Sequence, residues 1–279
     1  LERELSLERK RVIIKNIEIM NEKQDAFLIL YVVYFLFALY MGDTILLKPI
    51  RLLTTFIHEF SHAIACWLTC GEVRGIEVFS NAGGVTKYVG GCRCIISPAG
   101  YLGEAFWGMV FVIAGGGRKT SAAAGGGLIA ALLVSLCYAP NRTTVYLNLG
   151  YSALTALFLY LEFWVFSPLL AYLILFYGVM FTYYSIRDIF QHQVVQSREG
   201  SDAYHLYLET GRCCPPRCIG AWWLLLAVGM QITGLVMGVK LMGEDCEDAG
   251  WSECVFRTQF DFDFDFDFEF PDWEFDFWE

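Results

Sequence analysis

Long apolar runs set the first constraint on this chain. Seven stretches approach the length needed to cross hydrocarbon: roughly 26–42, 46–69, 94–115, 121–139, 145–165, 166–188 and 219–242. A helix of about 20 apolar residues spans the ~30 Å core of a bilayer, and helices are one of the few structures that satisfy their backbone there. With 56% hydrophobic residues and a mean hydropathy of +0.45, the 279 residues read as a polytopic membrane protein. One stretch breaks the pattern. Residues 71–93 are Gly-rich, and apolar residues alternate in Gly75-Ile76-Glu77-Val78-Phe79 and again in Val85-Thr86-Lys87-Tyr88-Val89, on either side of Asn81-Ala82-Gly83-Gly84. That reads as a β-hairpin. The expected fold is therefore all-α and polytopic, with six to seven transmembrane helices and one small β-hairpin. Trp222 and Trp223 serve as interfacial anchors of the last run, and Ser167-Pro168 divides the fifth from the sixth.

Charge divides the chain into three parts. Residues 1–25 form a basic tail, with Arg3, Arg9, Lys10, Arg11, Lys15 and Lys23 interspersed with apolar residues. Either an amphipathic surface helix or a solvated tail fits this pattern. Residues 26–242 form the membrane-embedded part. Residues 243–279 are acidic and low in complexity, with aromatic and acidic residues alternating from Phe260, and are expected to be disordered. The Lys/Arg bias of the loops predicts a cytosolic N-terminus, a cytosolic hairpin and an acidic C-terminus on the opposite side. Arg118-Lys119 is the exception to this bias. The sequon Asn141-Arg142-Thr143 then lies in the cytosol and stays unmodified.

The second run carries the chemistry. His58-Glu59-Phe60-Ser61-His62 stands in an apolar stretch free of Pro and Gly after Pro49, so it reads as a helix. Positions i and i+4 share a helix face, so both imidazoles can reach one metal ion while Glu59 touches a water bound to it. Ionisable groups are costly in a membrane and mark function there, and two of the chain's four histidines are in this motif. A zinc site with catalytic ability needs three protein ligands and one open position. The candidates for the third are Asp188, Asp202, Glu104, His192 and Glu162.

Taken together, Thr55-Phe56-Ile57-His58-Glu59-Phe60-Ser61-His62-Ala63, Cys70-Gly71-Glu72-Val73, Gly83-Gly84-Val85-Thr86, Gly90-Gly91 and Pro98-Ala99-Gly100-Tyr101-Leu102-Gly103 resemble the site-2-protease superfamily of intramembrane zinc metallopeptidases. The narrower likeness is to a peptidase-like branch of that superfamily. The resemblance covers roughly 27–240. It implies a zinc metalloendopeptidase that cleaves membrane-anchored substrates, with His58 and His62 as ligands, Zn2+ as cofactor and Glu59 as general base. It also implies an Asp from a later helix as third ligand. The family's Asn-Pro…Leu-Asp-Gly motif is absent, and Asp188, at the end of the sixth run, matches that Asp in chain order. Asp188 is therefore the favoured ligand, ahead of Asp202 and Glu104. The hairpin would hold an extended substrate by β-addition.

Other readings of the chain compete. A catalytically inactive scaffold or chaperone of the same fold fits the missing motif, but the intact Glu59 argues against it. A transporter would use the histidines as transport ligands and predicts inverted repeats, which the chain lacks. The Gly clusters at 115–117 and 125–127 are not followed by Lys-Ser/Thr, so no P-loop is present. Ten cysteines form no C-x-x-C pair; Cys213, Cys214 and Cys218 are candidates for palmitoylation or remain thiols, and Cys246 and Cys254 are placed where a disulfide is allowed. The expected partners are a membrane-anchored protein and the lipid bilayer, with no nucleic acid. The sequence leaves the oligomeric state open.

Overall fold

The computed structural model describes residues 22–164 and 169–244. Residues 1–21 of the basic tail, residues 245–279 of the acidic tail with Cys246 and Cys254, and the break at Ser167-Pro168 lie outside the described residues.

The elements are α1 (Glu22–Met41), a 3₁₀ turn (Ile45–Leu47), α2 (Lys48–Leu68), β1 (Glu72–Val78), β2 (Gly84–Val89), α3 (Arg93–Ala114), α4 (Arg118–Leu136), α5 (Arg142–Trp164) and α6 (Leu169–Asp188). A π-helical segment (Ile189–Val195) continues α6, and α7 (Asp202–Glu209) and α8 (Pro216–Glu244) follow. The expected all-α architecture with one small hairpin is what forms. Among the described residues six helices are long and apolar enough to cross a membrane: α1, α3, α4, α5, α6 continued through the π-helical segment, and α8. Their outward faces show large apolar side chains, such as Ile29, Leu157, Trp164 and Leu225. In lipid such faces need no protein cover, because hydrocarbon solvates them as well as a neighbouring helix would.

Close packing holds the centre instead. α3 runs through the middle, and small residues let its neighbours approach. A Cβ at Gly178 of α6 would meet the Val112 nitrogen at 2.6 Å, and one at Gly234 of α8 would meet Met109 at 3.2 Å. Such contacts replace the hydrophobic drive that is missing inside a bilayer. A buried ion pair adds a second link, with Arg118 Nε 2.7 Å from Glu162 Oε1 between α4 and α5.

Among the described residues α2 is the one long helix outside the set of six. It is amphipathic, with a polar edge of Arg51, Thr55, His58, Glu59 and His62 and an opposite face of buried Leu53, Phe56, Phe60 and Ala63. Its first turn pairs through Arg51 with Asp43, and Asp43 also pairs with Arg187 at the last turn of α6. At its other end the Thr69 hydroxyl accepts from the Cys92 amide, at the start of α3. Antiparallel α3 and α6 bring those two places to the same end of the body, since Ser185 donates to the Tyr101 carbonyl there at 2.9 Å.

This corrects the expected topology. Without a crossing by α2, an even number of spans returns the chain to the side it started from. The contacts agree: Gln24, at the start of α1, donates to the Val239 carbonyl near the end of α8 at 3.0 Å. The start of α1 and the end of α8 thus lie on one face, not on opposite faces. Hydropathy misled here because a helix buried on its apolar side reads like a span by composition.

The hairpin forms where the alternation placed it. β1 and β2 are antiparallel, with Ile76 opposite Thr86 and Val78 opposite Gly84, and a bulge between Val73 and Gly75. The outer edge of β1 is closed by the α4–α5 connection. Ile76 N–H donates to the Tyr138 carbonyl, Val78 N–H to the Thr144 hydroxyl, and Asn141 Nδ2 to the Val78 carbonyl, each at 2.8 Å. That last bond occupies the sequon amide, so Asn141 is held by the fold on whichever side it lies. Among the described residues no backbone hydrogen bond joins the other edge of β2.

Candidate metal centre

Helical spacing alone brings His58 and His62 together. Their Nε2 atoms are 3.2 Å apart. Asp202, the first residue of α7, completes the group, with its Oδ2 3.4 Å from His58 Nε2 and 3.6 Å from His62 Nε2. Among the described residues these three form the group whose ligand atoms all lie within 4.8 Å of one another. Metal–ligand distances of about 2.0–2.1 Å place the corners of a tetrahedron about 3.3 Å apart. Three gaps of 3.2, 3.4 and 3.6 Å fit one zinc-sized ion held by two nitrogens and one oxygen, with a fourth corner free.

The surroundings orient both rings. His62 Nδ1 lies 2.7 Å from the Ile96 carbonyl. A carbonyl only accepts, so Nδ1 donates and Nε2 is left with its lone pair toward the group. His58 Nδ1 lies 3.7 Å from Oε2 of buried Glu104 on α3, a carboxylate behind an imidazole. α3 also makes room: a Cβ at Gly100 would meet His62 Nε2 at 2.4 Å and His58 Nε2 at 2.5 Å. No side chain larger than hydrogen fits between α3 and the two imidazoles. Burial alone would raise the Asp202 carboxyl, but when the imidazoles are protonated His62 and His58 beside it hold it well below the ordinary carboxylate range.

Glu59 is buried beside the group, and the hairpin fixes it. The Thr86 hydroxyl lies 2.7 Å from Glu59 Oε2 and 2.8 Å from the Glu59 carbonyl. Gly84 packs directly on the carboxylate, since a Cβ there would meet Oε1 at 2.5 Å. These residues line a cavity of about 770 Å³, and all four histidines of the chain reach it, His192 and His205 included.

The other candidates fall differently. Asp188 lines the same cavity, but its Oδ1 is 3.9 Å from Arg187 Nη1 and 4.0 Å from His192 Nε2, and it is not in the ligand group. The structure thus brings Asp202 to the histidines where chain order favoured Asp188. Glu104 stands behind His58 rather than in the group, and Glu162 is taken up by Arg118. Asp202 does not cap its helix. Ser201 is the N-cap, its hydroxyl accepting from the Tyr204 amide at 3.4 Å. That Ser-Asp order is the local signal in the sequence: a serine at the cap leaves the next carboxylate free. Cys213, Cys214 and Cys218 are exposed thiols at the start of α8 and take no part in the site.

Residues 28–234 match the model of a family described as Peptidase M50B-like. The chain matches no curated protein and no solved structure. The matched span takes in the His-Glu helix, the hairpin and α7, and covers well over half of the sequence. The chain is an integral, multi-pass membrane protein that belongs to the peptidase M50B-like family, within the site-2-protease-like metallopeptidases.

Proposed function

We propose that this protein is a zinc metalloendopeptidase that hydrolyses peptide bonds of membrane-anchored substrates. His58, His62 and Asp202 would hold the ion, and Glu59 would act as the base. The observation that carries this reading is the spacing of the three ligand atoms beside a carboxylate that is itself held in place. When bound, zinc acidifies its water and polarises the scissile carbonyl. Glu59 takes the water proton and passes it to the leaving amine. Thr86 engages Oε2, so Oε1 is the oxygen left to carry that proton. Glu104, behind His58, steadies the ring as charge builds. The open edge of β2 runs past Glu59 and can hold an extended substrate segment as an added strand. The alternative, an inactive scaffold, gives no reason for a hairpin threonine and a hairpin glycine to grip the Glu59 carboxylate.

The test is metal content. Protein purified in detergent should carry about one zinc per chain. His58→Ala with His62→Ala should carry none, and unchanged zinc in that double variant would refute the site.

We propose that the mouth of the cavity faces the cytosol, which reverses the cytosolic N-terminus expected from the basic tail. Among the described residues the connecting segments at the mouth carry Arg74, Lys87, Arg93, Arg142, Arg198, Arg212 and Arg217, whereas the far end carries Lys23, Arg118, Lys119 and Lys240, of which Arg118 is paired with Glu162. The start of α1 and the end of α8 are then both on the far side. Glycosylation acceptors added at either chain end should both be modified. Modification of only one would refute the shared face, and modification of neither would invert the orientation.

A further inference from the structure

Gln193 is buried at 1% exposure, carries no charge and has no part in the reaction set out above. It sits in the π-helical segment after α6, whose wider winding is shown by the Gln196 amide bonding to the Gln191 carbonyl. A π segment of this kind often marks a functional site, because it turns a side chain where regular winding would not. Here the side chain is turned toward α7. Gln193 Oε1 accepts from the Ala203 amide at 3.2 Å. Ala203 directly follows Asp202, and its amide is one of the first-turn donors that no helix satisfies internally. Gln193 lines the metal-site cavity together with Tyr101, whose ring lies 4.4 Å from that of His58. Gly220 of α8 completes the seat: a Cβ there would meet Gln193 Cβ at 2.7 Å. One amide side chain therefore ties the backbone under Asp202 to the π-helical end of α6, with α8 packed close behind it.

Apolar packing seats α7 through Ala203, Leu206 and Tyr207 against Ala105, Ile189, Ile219 and Trp223, but among the described residues the Gln193 bond is the polar side-chain contact to the backbone beside Asp202. Residues of left-handed backbone bound it on both sides, Ser197 and Gly200 before it and Gly211 and Arg212 after it. The Arg93–Glu209 pair at its far end is exposed and worth little.

We infer that Gln193 is the positioning residue that holds Asp202 at the metal. The inference rests on Asp202 being a zinc ligand, but not on the protein cutting anything.

The experiment is a double-mutant cycle on zinc affinity, measured by chelator competition on the full chain in detergent. Gln193→Leu keeps size and removes the acceptor. Alone it should weaken zinc binding about 10- to 100-fold, the range for loss of a partner behind a ligand. In an Asp202→Ala background it should add less than about twofold, because the residue it acts through is gone. Cobalt-substituted Gln193→Leu should show a visible spectrum moved from that of the wild type toward that of cobalt-substituted Asp202→Ala. Gln193→Glu keeps an acceptor for the Ala203 amide and should restore most of the affinity, which separates positioning from general loss of fold. Equal weakening in both backgrounds, or unchanged affinity in Gln193→Leu, would overturn the inference. A wild-type protein that binds zinc and cleaves nothing leaves it standing, whereas one that binds no zinc removes it together with the site.

Discussion

Glu59→Gln is expected to keep its zinc and to lose cleavage of a membrane-anchored reporter by about 10²- to 10⁴-fold, the range that positioned proton transfer contributes. The substitution is nearly isosteric. Thr86 can still donate to the amide oxygen, and Gly84 still packs against the side chain, so the hairpin stays where it is. None of the three ligand atoms is touched. What disappears is a group able to accept a proton from water. Zinc content and cleavage measured on the same preparation decide the matter. Loss of both would make Glu59 a structural support of the site. Retention of both would assign the base elsewhere and return weight to the scaffold reading.

The second large effect separates two aspartates that chain order alone could not. Asp202→Ala should lower zinc affinity by more than the roughly 10- to 100-fold that loss of an outer partner costs, and cleavage should fall with it. Two imidazoles remain, and a third corner opens to solvent. Asp188→Ala should leave zinc in place. That carboxylate faces Arg187 and His192 at about 4 Å, so its loss alters cavity charge rather than the ligand set. Zinc titration of the two variants side by side is the check. The reverse ranking would put the ligand on the α6 end and require α7 to stand aside.

The sequence declared some of this plainly and kept the rest hidden, for reasons that lie in the chain itself. His58, Glu59 and His62 were readable because a helix is a local structure and five residues fix their relation. The hairpin was readable because the period of two is local as well, and the capping of β1 by Asn141 and Thr144 only adds a long-range lock. Asp202 was one name among five because its approach is not local. It depends on a π-wound segment, on left-handed turns at Ser197 and Gly200, and on a buried glutamine, none of which has a periodic signature. Analogy of position then favoured Asp188, which ends α6 where an aspartate was expected. Reading α2 as a membrane crossing failed for a related reason. Apolar residues do not reveal whether their cover is lipid or the rest of the protein, and only the contacts at its two ends do. Glu104 and Gly100 were set in an apolar run, and their roles appear only when α2 lies across α3.

Under the proposed function, the one-sided hairpin has a consequence for what the site can read. With β1 closed by the α4–α5 connection, a bound segment has one strand to follow, β2, and that strand also carries Thr86 and Gly84 against Glu59. Recognition and proton transfer then share a single ruler. A strand is legible in steps of two, because alternate residues turn their amides to the partner and the rest turn them away. Selectivity on such a ruler is written in parity rather than in a motif. Proline, which has no amide hydrogen, would be tolerated at alternate positions of a segment bound in this way and rejected between them. Sliding a substrate by one residue exchanges the two sets, so the fold distinguishes odd from even before it distinguishes one side chain from another.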